Sequence, residues 1–220
     1  IADAVAQAVA NGTASDLILV KASPAQTIAA PINIDMNVAG TVEIVGGFGT
    51  CTDPLPIAGL RTTVSLNSPS AFTIQNAGAS TRTFTLQQVA LIAGVGSGRL
   101  VDVSGRVFVN VDDVLLSAGK ANDGGNVRMA GPNVTLFITG GATIYSGDAT
   151  NNGGGVHCSG GGTVLLDDGG ISDNDADVAG GGIYLDGCSM NVFAGGGSVG
   201  CPGGTNRGIV CNTAGPGSLI

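Results

Sequence analysis

Two nearly identical glycine-led segments decide the fold: Gly153-Gly154-Gly155-Val156-His157-Cys158 and Gly180-Gly181-Gly182-Ile183-Tyr184-Leu185. They lie 27 residues apart, and the same register extends to both sides. One column of aligned apolar residues consists of Val101, Val127, Val156, Ile183 and Ile209. A second apolar column, two residues later, consists of Val103, Met129, Cys158, Leu185 and Cys211. The column between them is mostly polar and consists of Asp102, Arg128, His157, Tyr184 and Val210. This alternation is typical of strands that bury one face.

Other segments repeat with the same period. The predicted second strands are Val107–Val111, Val134–Ile138, Val164–Leu166 and Asn191–Phe193. A third apolar column comprises Leu116, Ile144, Ile171 and Val199, and an alanine column comprises Ala121, Ala149 and Ala176. Each repeat of 25–29 residues thus holds three short strands. If every repeat returns the chain one layer higher, at ~4.8 Å, like residues stack into a continuous interior.

The sequence therefore predicts an all-β fold, a right-handed parallel β-helix (solenoid) of about 6–7 coils. Right-handedness follows from the strong chirality of crossovers between parallel strands. A leucine-rich repeat would need a leucine–asparagine consensus that this chain lacks. A β-sandwich would not need columns in fixed register.

The chain is predicted to form a single domain over residues 1–220. Residues 1–12 favour a short amphipathic capping helix that ends at Asn11-Gly12, and residues 13–220 form the coils. The predicted first strands are Leu17–Val20, Ile32–Met36 and Val42–Val45, and Gly46–Pro54 is predicted to be a loop that leaves the coil. The sequence shows no capping element at Gly217–Ile220, which suggests a truncated or processed chain. An open last coil would expose unpaired strand edges, so self-association through it is a further expectation.

The amino-acid composition disfavours several classes of protein, namely disordered, nucleic-acid-binding and helical membrane-spanning proteins. Glycine makes up 39 of 220 residues while 43% are hydrophobic, so the chain is predicted to be folded and rich in tight turns. The net charge is −8, and residues 129–206 contain no Lys or Arg, which disfavours nucleic acid as a partner. No apolar run is long enough for a transmembrane helix.

The five cysteines indicate an oxidising compartment. No CxxC motif occurs and the chain has one histidine, so a zinc site is disfavoured and disulfides are favoured. Four cysteines lie in the last third and are the candidates for pairing, namely Cys158, Cys188, Cys201 and Cys211. Cys188–Cys201 and Cys201–Cys211 would each close a short loop, and the sequence does not choose between them.

The glycine segments also carry a family resemblance. Ser172-Asp173-Asn174-Asp175-Ala176 followed by Gly180-Gly181-Gly182-Ile183-Tyr184 resembles the repeats of β-helical passenger regions of bacterial surface proteins, including the polymorphic outer-membrane protein type. Ile144–Ala149 before Gly153 is a weaker copy, with Gly147 where the motif has Asn. The resemblance covers about residues 140–215. It implies export, cell-surface display and an adhesive or structural role.

Candidate binding residues fall into two groups. The exposed column Asp102, Arg128, His157 and Tyr184 is predicted to form a ladder in which Asp and Arg pair and the rings stack, on a sugar or as cross-strand neighbours. The second group, a candidate acidic or cation site, contains Asp167, Asp168, Asp173, Asp175 and Asp177. We expect no resident cofactor, with Ca²⁺ the candidate if one exists. Asp112-Asp113 and Asp167-Asp168 are the acid pairs that glycoside hydrolysis would need, but turn chemistry also explains them.

These observations predict an extracellular or surface scaffold that is structural or adhesive, and not an enzyme. Host or environmental glycans or proteins are the expected partners. The alternative is a carbohydrate-binding or polysaccharide-degrading β-helix of the pectate-lyase kind, because that fold also carries such enzymes.

Overall fold

The chain begins with one helix, followed by a stack of coils made of short parallel strands. The computed structural model describes residues 1–12, 15–38, 40–50 and 52–193, and the backbone of 208–210 and 213–214. The helix is α1 (Ala2–Ala10). Coil one contains β1 (Asp16–Lys21), β2 (Gln26–Ile28) and β3 (Ile32–Asp35). Coil two contains β4 (Val42–Phe48), β5 (Thr62–Leu66) and β6 (Ser70–Asn76). Coil three contains β7 (Arg82–Gln87), β8 (Val89–Ala93) and β9 (Arg99–Gly105).

The later coils gain a fourth, two-residue strand. Coil four contains β10 (Val107–Asp112), β11 (Leu115–Ser117), β12 (Lys120–Ala121) and β13 (Val127–Ala130). Coil five contains β14 (Thr135–Thr139), β15 (Thr143–Tyr145), β16 (Asp148–Ala149) and β17 (Val156–Ser159). Coil six contains β18 (Thr163–Leu166), β19 (Gly170–Ser172), β20 (Asp175–Ala176) and β21 (Ile183–Asp186). Coil seven contributes β22 (Ser189–Val192), β23 (Gly208–Val210) and β24 (Thr213–Ala214).

Equivalent strands of successive coils pair in parallel and build the sheets that enclose the core. Sheet A stacks the first strand of all seven coils and sheet B the second, while sheet C stacks the last strand of the first six. The two-residue strands form sheet D. The predicted parallel β-solenoid is therefore confirmed. Its interior is lined by Val, Ile, Leu and Phe side chains that are almost completely buried.

The predicted columns set the strand register. Val127 pairs with Val101 on one side and Val156 on the other, and Val156 pairs with Ile183. Leu116, Ile144 and Ile171 align in sheet B, and the three alanines align in sheet D. Equivalent residues one coil apart therefore share the same inward position, as the spacing predicted.

The last repeat was assigned to the wrong sheet. Ile209 was predicted to follow Ile183 in sheet C, but β23 pairs with β19 in sheet B and places Ile209 beside Ile171. The cause is the spacing of the strands, because 15 residues separate Val192 from Gly208 whereas three separate Leu166 from Gly170 in coil six. A constant period cannot reveal such an insertion. Val199 and Cys211 lie outside the described residues.

The N-terminal helix covers the first coil, as predicted. Val5 and Ala8 are buried, and α1 packs against β3 and β1. The helix ends at Ala10 with Asn11 as its C-cap, and Gly12 follows with a positive φ of 81°. The predicted loop begins later than expected, because Gly46 and Gly47 belong to β4 and the chain leaves the coil at Gly49. The strand Gln26–Ile28 was not predicted.

Two buried asparagines occupy the interior beside glycines. Asn126 accepts a hydrogen bond from the N–H of Gly119 at 2.9 Å and donates to the carbonyl of Tyr145 at 3.0 Å. Asn174 likewise accepts from the N–H of Gly147 at 2.8 Å and donates to the carbonyl of Ile144 at 3.1 Å. The two amides also bond to each other at 3.2 Å. Gly147 stands where the repeat motif has Asn, because a Cβ there would lie 2.1 Å from the carbonyl oxygen of Gly154.

A disulfide joins adjacent coils near the C-terminal end. It links Cys158 of β17 to Cys188, just before β22, with a Cα–Cα distance of 6.1 Å. The Cys158 side chain points into the core and is fully buried. Cys158 and Cys188 were both among the candidates for pairing, and because Cys188 is bonded to Cys158, the Cys188–Cys201 alternative is wrong. Cys201 and Cys211 lie outside the described residues.

Removing this crosslink should loosen the last coils. The Cys158→Ala/Cys188→Ala variant is expected to lose about 2–5 kcal/mol of unfolding free energy, because the unfolded chain is no longer constrained. Thermal unfolding followed by circular dichroism measures this, with the oxidised wild type as control. Equal melting temperatures for the variant and the wild type would contradict the structural role of the bond.

Candidate functional site

The predicted polar column forms a continuous ladder on the outer face of sheet C. Asp102, Arg128, His157 and Tyr184 lie on successive strands in direct register. The column also extends to Asn33 and Thr73 in the first two coils. We call these six residues the sheet C ladder. The structure therefore brings together all four residues that the sequence singled out.

Charged side chains occupy the middle of the sheet C ladder. Arg128 donates its Nε hydrogen to Asp102 Oδ1 at 2.9 Å, as predicted. Arg99, which was not predicted, donates from Nη1 to Asp102 Oδ2 at 2.9 Å and also bonds the backbone carbonyls of Asp123 and Gly124. Burial lowers the pKa of the Arg99 guanidinium, and Asp102 opposes that shift. Both oxygens of Asp102 are thus occupied by intramolecular partners.

The aromatic end of the ladder is also paired internally. The rings of His157 and Tyr184 are nearly parallel, at 13°, with their centroids 5.4 Å apart. His157 and Tyr184 are direct neighbours on adjacent strands, so each ring covers one face of the other. This contact is the cross-strand pairing that the sequence offered as one interpretation of these rings.

His157 has a partly desolvated imidazole. Burial lowers the pKa of His157 below its ordinary value of 6.5, and the nearby Arg128 and Arg99 lower it further, while Asp123 and Asp186 raise it. The Nδ1 atom has no hydrogen-bond partner among the described residues. The folded chain consequently favours the neutral ring.

This shift predicts an acid-dependent loss of stability. Since the folded-state pKa is below 6.5, the unfolded chain binds more protons as the pH falls past 6.5, and the free energy of unfolding decreases there. His157→Phe keeps a ring beside Tyr184 but cannot titrate. Urea unfolding between pH 5.5 and 7.5 should show that the wild type loses stability relative to this variant on acidification. A constant difference between the two proteins would contradict the shift, and the test is specific because the chain has one histidine.

The acid pair Asp112-Asp113 makes hydrogen bonds to side chains of other coils. Arg61, at the end of the loop that leaves coil two, donates to Asp113 Oδ1 from Nη2 at 2.7 Å and from Nε at 2.9 Å. Asp112 accepts a hydrogen bond from the side chain of Gln87 at 3.0 Å. Asp113 has a positive φ of 50°, so it also forms the corner between sheets A and B. The Arg61–Asp113 contact therefore anchors the loop of coil two to the corner of coil four.

The remaining acidic candidates lie at two corners of coil six. Asp167 and Asp168 lie between β18 and β19 and are half-buried, while Asp173, Asp175 and Asp177 are exposed around β20. Asp168 and Asp173 have positive φ values of 56° and 52°, as expected of corner residues. Within the described part of the chain, no three His, Cys, Asp or Glu side chains are grouped closely enough to hold a metal ion.

A shallow polar groove lies beside the first three coils, where the chain leaves sheet C. It encloses about 220 Å³ and is lined by Asn37, Gln75, Asn76, Ala77, Ser104 and Gly105. Gln75 and Ser104 are direct neighbours on β6 and β9. We call this the amide groove. The sequence did not reveal it, because its polar residues come from coils one to three, where the long loop after Phe48 breaks the repeat spacing.

Comparisons with known proteins do not assign this chain to a family. No helix within the described residues combines the length and apolar character needed to cross a membrane. A scan against protein-family models, a search of curated proteins and a search of solved structures find no match to this chain.

Proposed function

We propose that this chain is an exported structural scaffold, a stiff β-solenoid that works at the bacterial surface or outside the cell. Its glycine motifs resemble those of surface-protein passenger regions, which supports display or adhesion as its role. Seven stacked coils at ~4.8 Å per layer would give a rod about 30 Å long. The expected partners are glycans or proteins of the host or the environment.

The Cys158–Cys188 bond is the observation that carries this proposal. Disulfides persist in oxidising compartments and are rare where cytosolic reductants act. Cys158 is fully buried and Cys188 is partly buried against the core, so the bond joins the interior of coil five to the turn before coil seven. The ion pair between Arg128 and Asp102 joins the adjacent strands β13 and β9, which supports a structural role for the sheet C ladder.

The thiol state of the native protein tests this proposal. Cells that make the protein are lysed in acid with an alkylating reagent, and the peptides that contain Cys158 and Cys188 are examined by mass spectrometry. The proposal predicts that these cysteines are linked and unalkylated. Alkylation of both residues in freshly trapped protein would contradict export.

Carbohydrate binding is the second candidate function, and the amide groove is the observation that favours it. Polysaccharide cleavage has weaker support, because Asp112 and Asp113 are engaged by Gln87 and Arg61. The Oδ1 atom of Asp113 already accepts two hydrogen bonds from the Arg61 guanidinium, so these contacts support a structural role for this acid pair.

A further inference from the structure

We infer that the amide groove binds a neutral oligosaccharide. The inference rests on the second candidate function and names its ligand class, and it is independent of export because it depends only on the side chains that line the groove. The groove lies next to the sheet C ladder, because Gln75 and Ser104 follow Thr73 and Asp102 by two residues on the same strands, but it uses none of the ladder's side chains.

The first step is that the groove offers hydrogen-bonding groups without partners. The side-chain amide of Gln75 and the hydroxyl of Ser104 make no hydrogen bond to any residue that the structure describes, and Gln75 is exposed. Asn37 uses its Nδ2 to donate to Asp35 at 2.6 Å, which holds the amide in place. Together these groups can donate to and accept from sugar hydroxyls, which need both.

The second step concerns the rigidity of the groove. Asn76 is almost fully buried and donates to the carbonyls of Ser80 and Arg106 at 2.8 and 2.7 Å. Gly105 has a φ of +84°, and a Cβ there would lie 1.9 Å from the carbonyl oxygen of Asn76. The floor is thus fixed backbone, and Ala77 adds a small apolar wall for the C–H face of a sugar. Such preorganisation reduces the entropic cost of binding.

The third step concerns charge and size. None of the six lining residues is charged, and Asp35 lies directly beside Asn37. With a net charge of −8 on the chain, anionic glycans are disfavoured. A volume of about 220 Å³ is below that of pockets that enclose a drug-sized ligand, so the groove fits one or two sugar units of a longer chain.

The test uses nuclear magnetic resonance on the full chain, following the side-chain amide signals of Asn37 and Gln75. The neutral probes are cellohexaose, maltohexaose and mannohexaose, and hexagalacturonate is the charged probe. We expect at least one neutral probe to shift both signals in a saturable way, and hexagalacturonate to leave them unchanged. No shift with any neutral probe, or equal binding of the charged one, would overturn the inference.

A matched pair of variants distinguishes the groove from the rest of the face. Ser104 and Ser159 occupy the same column of sheet C, and Ala130 lies between them, so alanine is tolerated at this position. Gln75→Ala/Ser104→Ala should bind the neutral probe roughly tenfold more weakly or worse, since it loses two hydrogen-bonding side chains. Ser159→Ala should bind like the wild type. Equal weakening in both variants would place the site elsewhere and overturn the assignment.

Discussion

Replacing Gly154 with alanine is expected to prevent coils five and six from stacking at their present separation. The added Cβ would lie 2.1 Å from the carbonyl oxygen of Asp175 and 2.6 Å from that of Gly181. Both atoms belong to the backbone of the next coil and cannot move independently of it. We expect a loss of about 3 kcal/mol or more in the free energy of unfolding, since no flexible side chain can give way.

The matched control for this variant is Gly141→Ala. Gly141 also lies at a corner, but a Cβ there meets nothing within 4 Å, and its φ of +77° is the only obstacle. That conformation costs about 1–2 kcal/mol for an alanine. Urea unfolding of the two variants should therefore rank Gly154→Ala as clearly the less stable. Equal losses would show that backbone conformation, and not the distance between coils, governs these glycines.

Replacing Asn126 with alanine should produce the second large loss. The amide is completely buried and bonds the N–H of Gly119, the carbonyl of Tyr145 and the side chain of Asn174. Each buried group left without a partner costs about 1–3 kcal/mol, so a total of roughly 2–4 kcal/mol is expected. Chemical denaturation followed by circular dichroism measures it.

Asn122 provides the comparison for Asn126. It lies four residues earlier, and its side chain accepts an exposed hydrogen bond from Thr150 at 3.1 Å. Asn122→Ala should change stability by less than about 0.5 kcal/mol, as is usual for surface positions. If Asn126→Ala were equally mild, the interior amides would not support the coils.

The regular part of the fold was predictable because it depends on local alternation. Val101, Val127 and Val156 have the period of a coil, and their strands pair in the predicted register. The exposed column between the apolar ones followed from the same alternation. The capping helix was predictable from its apolar stripe, which buries Val5 and Ala8.

Features that depend on irregular connections were not predictable from the period. Ile209 was misplaced because an insertion precedes β23, and the amide groove was missed because the loop after Phe48 interrupts the repeat spacing within coil two. Arg99 was missed for a different reason. Leu100 and Val101 are both buried, so strict alternation fails at the start of β9 and gives no position for Arg99.

The interior polar residues illustrate a further limit of pattern analysis. Asn126 and Asn174 point inward although the columns around them are apolar. Their partners are backbone groups at Gly119 and Gly147, and a sequence pattern does not specify such contacts. The disulfide is similar, because Cys158 and Cys188 are 30 residues apart and become neighbours only through the return of the coil.

Cell-surface localisation is the measurement that tests the central claim most directly. An antibody against the folded domain is applied to intact cells that make the protein, and to the culture medium, with a cytosolic enzyme followed as the lysis control. The scaffold proposal predicts antibody labelling of intact cells or protein in the medium, and its loss after external protease treatment. Protein found only in the cytosolic fraction, protected until the cells are broken, would contradict it.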